Sequence, residues 1–431
     1  MAATIRAVHQ VLATLGYGDA IGHEVIGIQK VLRAAGYRSE IFVETADPRL
    51  ESLTLDYRDL PAASHPDNIL IHHFSIGSRA SRVAYALPDR MALVYHNITP
   101  PEYFIGVHPL LVQLCFMGRR ELRAYVDRVS LALGDSEYNR QELADAGFRE
   151  TAVLPVVPSF AHLDVPANPL LAAQFDDEWV NLLFVGRVIP NKKLEDVIRI
   201  FAAYKRKLNP RSRLIFVGSH AGFDLYFAML QQLVARLRLP DVHFLGHVSN
   251  EELTALYDVA DVFLCASEHE GFCVPLVEAF HKRVPVVAYA ATAVPATMDG
   301  GGVLYEDKDP LHVAQLVDAL VGDAELADRV LAAQDAALAR LVGRDFGGTL
   351  LGFVDRIASL PSPPHPGVAF DFWDQYAGLD ALEELRVYRP AAFDALPTGT
   401  PWPSEATADA CSARVEGPAP GEACAGGRVD G

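Results

Sequence analysis

The sequence predicts an α/β protein made of two doubly wound domains in tandem. Its 431 residues exceed the roughly 250 to 300 residues at which a single hydrophobic core stops growing. Half of the residues are apolar, which is enough for two cores. Short apolar runs alternate with helical patterns along the chain, and such runs are typical of parallel strands that are covered on both faces.

The first half, residues 1–158, predicts one Rossmann-like domain. Its β-branched and apolar runs predict strands at 4–11, 41–43, 68–72, 91–95 and 129–133. Helical patterns at 20–35, 108–126 and 136–146 fill the gaps between these runs. A stretch that contains several prolines follows, and we place an interdomain linker at 159–178.

The second half repeats the alternation over residues 179–360. Its apolar runs predict strands at 182–185, 214–217, 242–245, 262–264 and 284–288. Residues 361–390 are rich in aromatic and acidic side chains and predict a helical segment that packs back on the body. Residues 391–431 are rich in Pro, Gly, Ala, Thr and Ser, so they cannot bury enough apolar surface and predict a disordered tail.

Charge and composition exclude several classes of partner. The formal net charge of −18 argues against nucleic acid or an anionic membrane as the general partner, because both are polyanions. We expect a cytoplasmic protein, since no apolar run reaches the roughly 18 residues of a membrane-spanning helix and no secretion signal follows Met1. The cysteines are odd in number and lack the pair spacing of a metal site, so we expect a reducing compartment and no bound metal.

Two carboxylates, Glu270 and Glu278, lie eight positions apart with a turn and the start of a helix between them. Gly271 permits a tight bend, and Pro275 suits the first position of a helix. The amino end of a helix favours bound phosphate, whereas carboxylates accept hydrogen bonds from sugar hydroxyls. The alternative, a pair of exposed helix acids, fits poorly with the apolar residues around them. The segment therefore predicts a site for a sugar nucleotide.

Two basic residues follow the first strand of the second half. Gly186 permits a sharp turn, Arg187 offers a planar group for bidentate contacts, and Lys192 adds a point charge. Together these cations are suited to neutralise a diphosphate without a metal. The neighbouring Lys193 is interpreted as a solvated helix residue.

The first half has two further candidates at the carboxyl ends of strands, where parallel sheets bind ligands. The glycine-rich turn from Gly16 to Gly22 lacks the GxGxxG spacing of a dinucleotide site. It predicts a phosphate or sugar contact, or a tight turn alone. His96 ends a strand, and its imidazole either faces a cleft and contacts a substrate hydroxyl or is a core histidine bonded to a carbonyl.

With these residues the chain resembles the family-four retaining glycosyltransferases of the GT-B fold. The likeness is strongest over 181–305 and looser over 1–155. It implies two Rossmann-like domains that face each other across a cleft. Three groups of residues carry it: Glu270 and Glu278 with seven residues between them, Gly186-Arg187 with Lys192 five residues on, and the glycine-rich first turn with His96.

The resemblance implies a role for each of these side chains. Arg187 and Lys192 would hold the donor diphosphate, and Glu278 would accept hydrogen bonds from the ribose. Glu270 and His96 would be the catalytic residues, placed at the transferred sugar and its reacting centre.

Further donor contacts follow from the same resemblance. Gly18 and Asp19 would close over donor and acceptor, and the loop that contains Val248 would border the base. Additional phosphate donors would be the amide groups of Phe272, Cys273 and Val274. Two positions depart from the family pattern, because Lys193 stands where glycine is common and Ala296 stands where glutamate is common.

We therefore expect an enzyme of polysaccharide biosynthesis that transfers a sugar of the mannose or glucose type. The donor would be a nucleoside diphosphate sugar and the acceptor a glycan or glycolipid. The resemblance implies attack on the same face that the diphosphate leaves, without a metal. Two alternatives stay open: a sugar-nucleotide binding protein without catalysis, and a nicotinamide oxidoreductase, against which the missing GxGxxG argues.

One segment raises the question of a membrane. The apolar stretch Val107–Met117 is followed by Arg119, Arg120 and Arg123. Such a segment either docks against a lipid-linked acceptor at the inner face of a membrane or forms part of the core.

Overall fold

The computed structural model describes residues 5–16, 18, 20–156, 158–365 and 391, and all structural statements below concern these residues. Contacts divide the chain into a compact unit over Met1–His365 and a second unit over Pro366–Gly431. The fold described here is that of the first unit. The predicted helical segment from 366 onward and the predicted tail lie outside the described residues, apart from Ala391.

A seven-stranded parallel sheet forms the first half. Its spatial order is β3-β2-β1-β4-β5-β6-β7. Strands β2 and β3 therefore lie on one side of β1, and the strands from β4 onward lie on the other side. Ligands of open α/β sheets bind at such a switch point, beyond the carboxyl ends of the strands. The strands are β1 (Val8–Leu15), β2 (Ile41–Ala46), β3 (Thr54–Asp56), β4 (Ile69–Phe74), β5 (Arg90–Tyr95), β6 (Leu131–Gly134) and β7 (Thr151–Val153).

Five helices connect these strands. Ser78 and Ser136 cap the third and fifth of them by accepting from the amide groups of Ser81 and Asn139. The fifth ends at Gly147, whose φ of 107° suits glycine. The helices are α1 (Ala20–Ala34), α2 (Leu60–Ala63), α3 (Arg79–Ala86), α4 (Pro109–Ala124) and α5 (Glu137–Ala146).

A six-stranded parallel sheet forms the second half. Its order is β10-β9-β8-β11-β12-β13, so its switch point lies between β8 and β11. The strands are β8 (Val180–Val185), β9 (Ser212–Val217), β10 (Val242–Gly246), β11 (Val262–Cys265), β12 (Val286–Tyr289) and β13 (Val303–Tyr305).

Nine further helices belong to the described part of this half and its flanks. They are α6 (Pro169–Phe175), α7 (Leu194–Lys207), α8 (Asp224–Arg236), α9 (Asn250–Asp258), α10 (Val274–His281), α11 (Val294–Met298), α12 (Pro310–Gly322), α13 (Ala324–Val342) and α14 (Phe346–Ser359). Among the described helices, none combines the length and the apolar character needed to cross a bilayer.

The last helix, α14, packs on the first sheet. Leu350, Val354 and Ile357 are buried in the core that contains residues of β1 and α1. The sequence predicts this helix within the second domain, 179–360. An amphipathic helix shows in its sequence which face is buried, but not which sheet buries it.

The connection between the two sheets is also more structured than the predicted linker. Leu163 is 1% exposed, and it packs with Val156 in the core of the second half. Helix α6 occupies 169–175 within the predicted linker 159–178. The connection is therefore part of the second half's core.

Candidate active site

Two of the predicted site residues meet at the switch point of the second sheet. Lys192 ends a 3-10 turn, Pro190–Lys192, that leads from β8 into α7. Glu270 follows β11, the neighbour of β8 in the sheet. Although 78 positions separate these side chains in the sequence, they are in direct contact.

Lys192 and Glu270 form a buried ion pair. The distance between Lys192 Nζ and Glu270 Oε1 is 2.5 Å, and the side chains are 14% and 8% exposed. Burial lowers the pKa of Lys192, but the Glu270 carboxylate outweighs this effect and raises that pKa above its ordinary value. Lys192 is therefore a cation at neutral pH, as a contact with diphosphate requires.

Arg187 lies at the rim of this site. It follows β8, where Gly186 has a φ of +150° and packs so closely on Gly218 that a Cβ on Gly218 would overlap the Gly186 carbonyl. Arg187 is exposed, and its guanidinium carbon lies 5.7 Å from the centre of the Phe223 ring. The predicted contact of Arg187 with a diphosphate stays a prediction.

Lys193 is not the solvated residue that the sequence suggests. Its φ of 52° and ψ of 47° lie in the left-handed region, which costs a residue with a Cβ roughly 1 to 2 kcal/mol. This conformation gives a physical reason for glycine at the same position in the resembling family. The Lys193 ammonium lies 3.3 Å from Glu268 Oε2 and 5.5 Å from the ring centre of Tyr103, a residue of the first half.

The amino end of α10 lies beside the buried ion pair. Its cap residue Cys273 has a φ of 73°, and its thiol is close enough to Lys192 and Glu270 for their charges to influence it. Within the described residues, the amide groups of Phe272, Cys273 and Val274 donate no hydrogen bond. These three amides can therefore bind an anion at the helix end, which is the role predicted for them.

Glu278 is buried and already bonded within the protein. His162 Nε2 donates to Glu278 Oε1 at 2.9 Å, and Tyr257 Oη donates to Glu278 Oε2 at 3.0 Å. The hydrogen bond with Glu278 raises the pKa of His162 above its ordinary value. Each carboxylate oxygen can accept more than one hydrogen bond, so the predicted contact with a ribose stays a prediction.

His96 is enclosed in the first half, with its side chain 2% exposed. Its Nε2 lies 2.9 Å from His73 Nδ1, and its Nδ1 lies 3.1 Å from Asp135 Oδ2. The burial agrees with a core histidine, although its partners are side chains rather than a carbonyl. The predicted contact of His96 with the transferred sugar stays a prediction.

A chain of hydrogen bonds fixes the protons of the two histidines. Gln10 Nε2 donates to the Val25 carbonyl, so Gln10 Oε1 accepts from His73 Nε2 at 2.9 Å. Burial first, and then the charge of His96, holds the pKa of His73 well below its ordinary value, so His73 is neutral. His73 Nδ1 therefore accepts, and His96 Nε2 carries the proton.

Glu24 adds a second carboxylate to this network. Its Oε2 lies 3.8 Å from His96 Nδ1. Glu24, His96 and Asp135 form a group of possible metal ligands within the described residues, although the sequence predicts no metal.

The loop that contains Glu270 packs directly against the first half. A Cβ on Gly271 would lie 2.9 Å from Asn97 Cβ and 3.5 Å from the His96 carbonyl oxygen. Only glycine fits such a close approach. The donor-side loop and the His96–Asn97 turn therefore form two walls of one cleft.

Three predicted residues lie at its periphery or outside the described residues. Gly18 is exposed and has a φ of +75°, whereas Asp19 lies outside the described residues. Val248 is in the loop between β10 and α9 and packs partly on the second core. Their roles at donor, acceptor and base stay predictions.

Sequence reasoning missed several residues of this region. Asp135 directly follows β6, so the rule that located His96 could also have found it. Glu24 lies inside α1, and His162 lies in the predicted linker, so neither shows a local signal.

A family model matches the part of the chain that contains the buried ion pair. Residues 173–334 match the family model described as "Glycosyl transferases group 1". The matched segment contains Arg187, Lys192, Glu270 and Glu278, so it covers the second sheet and the buried ion pair.

Two curated relatives are mannosyltransferases by name. "O-antigen chain mannosyltransferase B" of Escherichia coli is 27% identical over 51% of this chain and 58% of its own length. "GDP-mannose:cellobiosyl-diphosphopolyprenol alpha-mannosyltransferase" of Xanthomonas oryzae is 32% identical over 31% of this chain and 35% of its own length. The chain thus spans less than two thirds of the length of either relative.

A solved structure shows the same fold. That of Alr3699/HepE from Anabaena in complex with UDP and glucose matches with a TM-score of 0.62 and 17% identity, covering 82% of this chain and 100% of that chain. At this identity the likeness shows the fold alone, and it confirms two Rossmann-like domains in the GT-B arrangement. The chain therefore has the GT-B fold, and its residues 173–334 are similar to the glycosyl transferases group 1.

Proposed function

We propose that this protein transfers a sugar from a nucleoside diphosphate sugar to a glycan or lipid-linked acceptor. The observation that carries the proposal is the meeting of Lys192, Glu270 and the open amides at the start of α10. A phosphate held by those amides would lie beside an ammonium group. A sugar attached to that phosphate would lie beside a carboxylate that accepts from its hydroxyls.

The diphosphate leaves without a metal in this proposal. Negative charge grows on its oxygens as the bond to the sugar breaks, and Arg187, Lys192 and the amides stabilise that charge. One well-placed donor of this kind is worth about 3 to 4 kcal/mol. Because the fold holds Lys192 and the amides in place, their part of the stabilisation needs no reorganisation during the reaction.

The sugar keeps its configuration in this proposal. The acceptor hydroxyl attacks on the face from which the diphosphate leaves, and the leaving phosphate takes the proton. Glu278 binds the ribose, and Glu270 and His96 lie at the transferred sugar. The packing of Gly271 on Asn97 supports a closed cleft, which excludes water and so limits hydrolysis of the donor.

The names of the relatives favour a donor sugar of the mannose or glucose type. Two relatives are named as mannosyltransferases, and the similar Anabaena structure contains UDP and glucose. One of these names includes a diphosphopolyprenol acceptor. We therefore propose a sugar acceptor carried on a lipid or a growing polysaccharide.

A peripheral contact with the cytoplasmic face of a membrane belongs to the same proposal. Ile105 is 67% exposed, and Leu111 and Val112 of α4 are only half-buried. Arg123 is exposed near the end of the same helix and is suited to anionic lipid. Sedimentation with anionic vesicles tests this contact, and retention of the protein in the supernatant would contradict it.

Turnover with a panel of donors tests the activity. We expect one of UDP-, GDP- or ADP-linked glucose or mannose to give labelled product with a lipid-linked or saccharide acceptor. Glu270→Gln keeps the shape of the side chain but removes its charge, so we expect transfer to fall at least about tenfold. Arg211→Ala, a change at an exposed arginine of the second half, is the matched control and should keep full activity.

The alternative of a binding protein gives a different result. It predicts that a donor binds, as seen in a thermal shift, but that neither transfer nor hydrolysis occurs. If no donor binds, the proposed site is wrong in either form.

A further inference from the structure

Three side chains of the first half converge beyond the carboxyl edge of their sheet. Glu24 lies on α1, His96 follows β5, and Asp135 follows β6. One ligand atom from each lies within 4.8 Å of the other two. Histidine nitrogen and carboxylate oxygen are the ligands of many transition metal sites in proteins.

Both carboxylates have a buried oxygen without a partner. Glu24 Oε1 and Asp135 Oδ1 accept no hydrogen bond from any described residue. Their side chains are 7% and 10% exposed, so water does not readily replace the missing partners. Buried carboxylates are rarely left in this state, and two of them beside each other repel. The local charge therefore favours a cation.

His96 is oriented as a metal ligand would be. Its Nε2 donates to His73, which leaves Nδ1 towards Glu24 and Asp135. When His96 is neutral, Nδ1 carries the lone pair. Histidines that bind metals usually donate their other ring N–H to a fixed acceptor, and His73 Nδ1 is such an acceptor here.

The distances between the possible ligand atoms are close to those around a tetrahedral metal. His96 Nδ1 lies 3.1 Å from Asp135 Oδ2 and 3.8 Å from Glu24 Oε2. Two ligand atoms at bond lengths of about 2.0 to 2.2 Å from tetrahedral zinc are about 3.3 to 3.6 Å apart. Small side-chain shifts are enough to reach this geometry.

We propose that Glu24, His96 and Asp135 bind one divalent transition metal cation of the Zn²⁺ class, with water completing the coordination. This inference goes beyond the proposed transfer reaction, because the diphosphate groups Arg187 and Lys192 belong to the second half. The two proposals share His96: with Nε2 on His73 and Nδ1 on the cation, His96 would shape the wall beside the transferred sugar instead of contacting a hydroxyl of that sugar. The cation holds the His96–Asn97 turn, the wall on which Gly271 packs.

A shared proton is the competing explanation for this cluster. Burial first, and then the charge of Asp135, raises the pKa of Glu24 to about 8. Glu24 therefore holds a proton at neutral pH when no cation is bound.

Calorimetry with Zn²⁺ on chelator-treated full-length protein, without an affinity tag, tests the proposal. We expect one Zn²⁺ per wild-type chain and at least about a tenfold loss of affinity in Glu24→Gln. The matched control is Glu121→Gln, which removes another buried carboxylate of the same half that is 3% exposed and whose pKa burial raises to about 7. This control should bind Zn²⁺ as wild type does.

Thermal unfolding separates binding at the cluster from a fault in folding. In the presence of a chelator we expect Glu24→Gln to be about as stable as wild type, because glutamine has the shape of the protonated glutamic acid and carries no charge. Added Zn²⁺ should raise the Tm of wild type but not of Glu24→Gln. Co²⁺ should give the visible absorption of a low-symmetry site in wild type alone.

Two results would overturn the proposal. One is the absence of a Zn²⁺ site in wild type, which leaves the shared proton as the explanation. The other is equal Zn²⁺ affinity in wild type and Glu24→Gln, which would place the ion at a different site. Donor binding measured in chelator tests the transferase proposal independently, because the proposed diphosphate site needs no metal.

Discussion

Glu278 joins three separate segments of the second half through its two oxygens. His162 comes from the connection between the sheets, and Tyr257 comes from α9. A donor that uses Glu278 must share it with these two residues. The protonation of His162 therefore bears on both stability and donor binding.

The His162 pair makes stability depend on pH. Because its pKa is raised in the folded state, the stabilisation is complete below the ordinary value of about 6.5 and is lost as the pH rises through the raised value. We expect His162→Gln to lower the free energy of unfolding by under about 1 kcal/mol near pH 6 and by less near pH 9.

Denaturant unfolding of both proteins at the two pH values checks this prediction. His247→Gln, at an exposed histidine, is the control and should change stability equally at both pH values. A loss in His162→Gln that grows towards high pH would contradict the assignment.

At the residue scale the sequence predicted the groups that follow strands. Arg187, Lys192 and Glu270 stand next to apolar runs and special turns, so their positions could be deduced. The partner of Glu278 could not be deduced, since His162 lies 116 positions away in an irregular segment. Contacts between distant segments depend on packing that a local pattern does not record.

Helix α7 begins at a strained residue. Lys193 caps it in a left-handed conformation, and its ion pairs with Glu268 and Glu195 have distances of 3.3 and 3.9 Å. Partly exposed pairs of this kind are worth at most about 1 kcal/mol, whereas the strain costs roughly 1 to 2 kcal/mol. The 3.9 Å pair with Glu195 is at the limit of an ion pair, so we expect the strain to exceed the contribution of the two pairs.

We expect Lys193→Gly to raise the free energy of unfolding by up to about 1 kcal/mol, because glycine adopts this conformation without strain. Arg199→Gly, in the interior of the same helix, should instead lower it by about 1 kcal/mol. Chemical denaturation of both variants measures these two changes in the free energy of unfolding. Equal destabilisation by both would show that Lys193 is not strained.

At the element scale the longer strands were predicted and the shortest ones were not. β3, β7 and β13 have three residues each, which is too short for an alternation to show. The first strand was predicted at 4–11, whereas β1 spans Val8–Leu15. Its polar residues, such as Gln10, are buried by hydrogen bonds that the sequence does not reveal.

The two halves are joined a second time by α14. Leu350 on this helix is 2% exposed in the core of the first half, although it follows all strands of the second half in the chain. The hydrophobic core of the first half is therefore complete only when α14, which follows the second half in the sequence, packs on it.

We expect Leu350→Ala to lower the free energy of unfolding by about 2 to 5 kcal/mol, because it leaves a cavity in that core. Val342→Ala, at a position that is 51% exposed, should cost under about 0.5 kcal/mol. Denaturant titration compares them. A small effect of Leu350→Ala would mean that α14 does not contribute to the first core.

At the scale of the whole molecule the sequence predicted two doubly wound domains from length and alternation. It did not predict the packing of α14 on the first sheet or the close packing of Gly271 on Asn97. Both contacts depend on how the two halves pack against each other. The cleft between the sheets is therefore known from the structure, while some of its chemical groups, such as Lys192 and Glu270, could be predicted from the sequence.

The proposed diphosphate site is tested most directly by calorimetry of ligand binding to Arg187→Ala, in buffer that contains a chelator. Arg187 is exposed, so its loss should not disturb the fold. We expect nucleoside diphosphate to bind about tenfold or more weakly than to wild type, because a charge-assisted contact is lost, while the nucleoside binds equally well. Equal losses for both ligands, or no loss for either, would contradict the account.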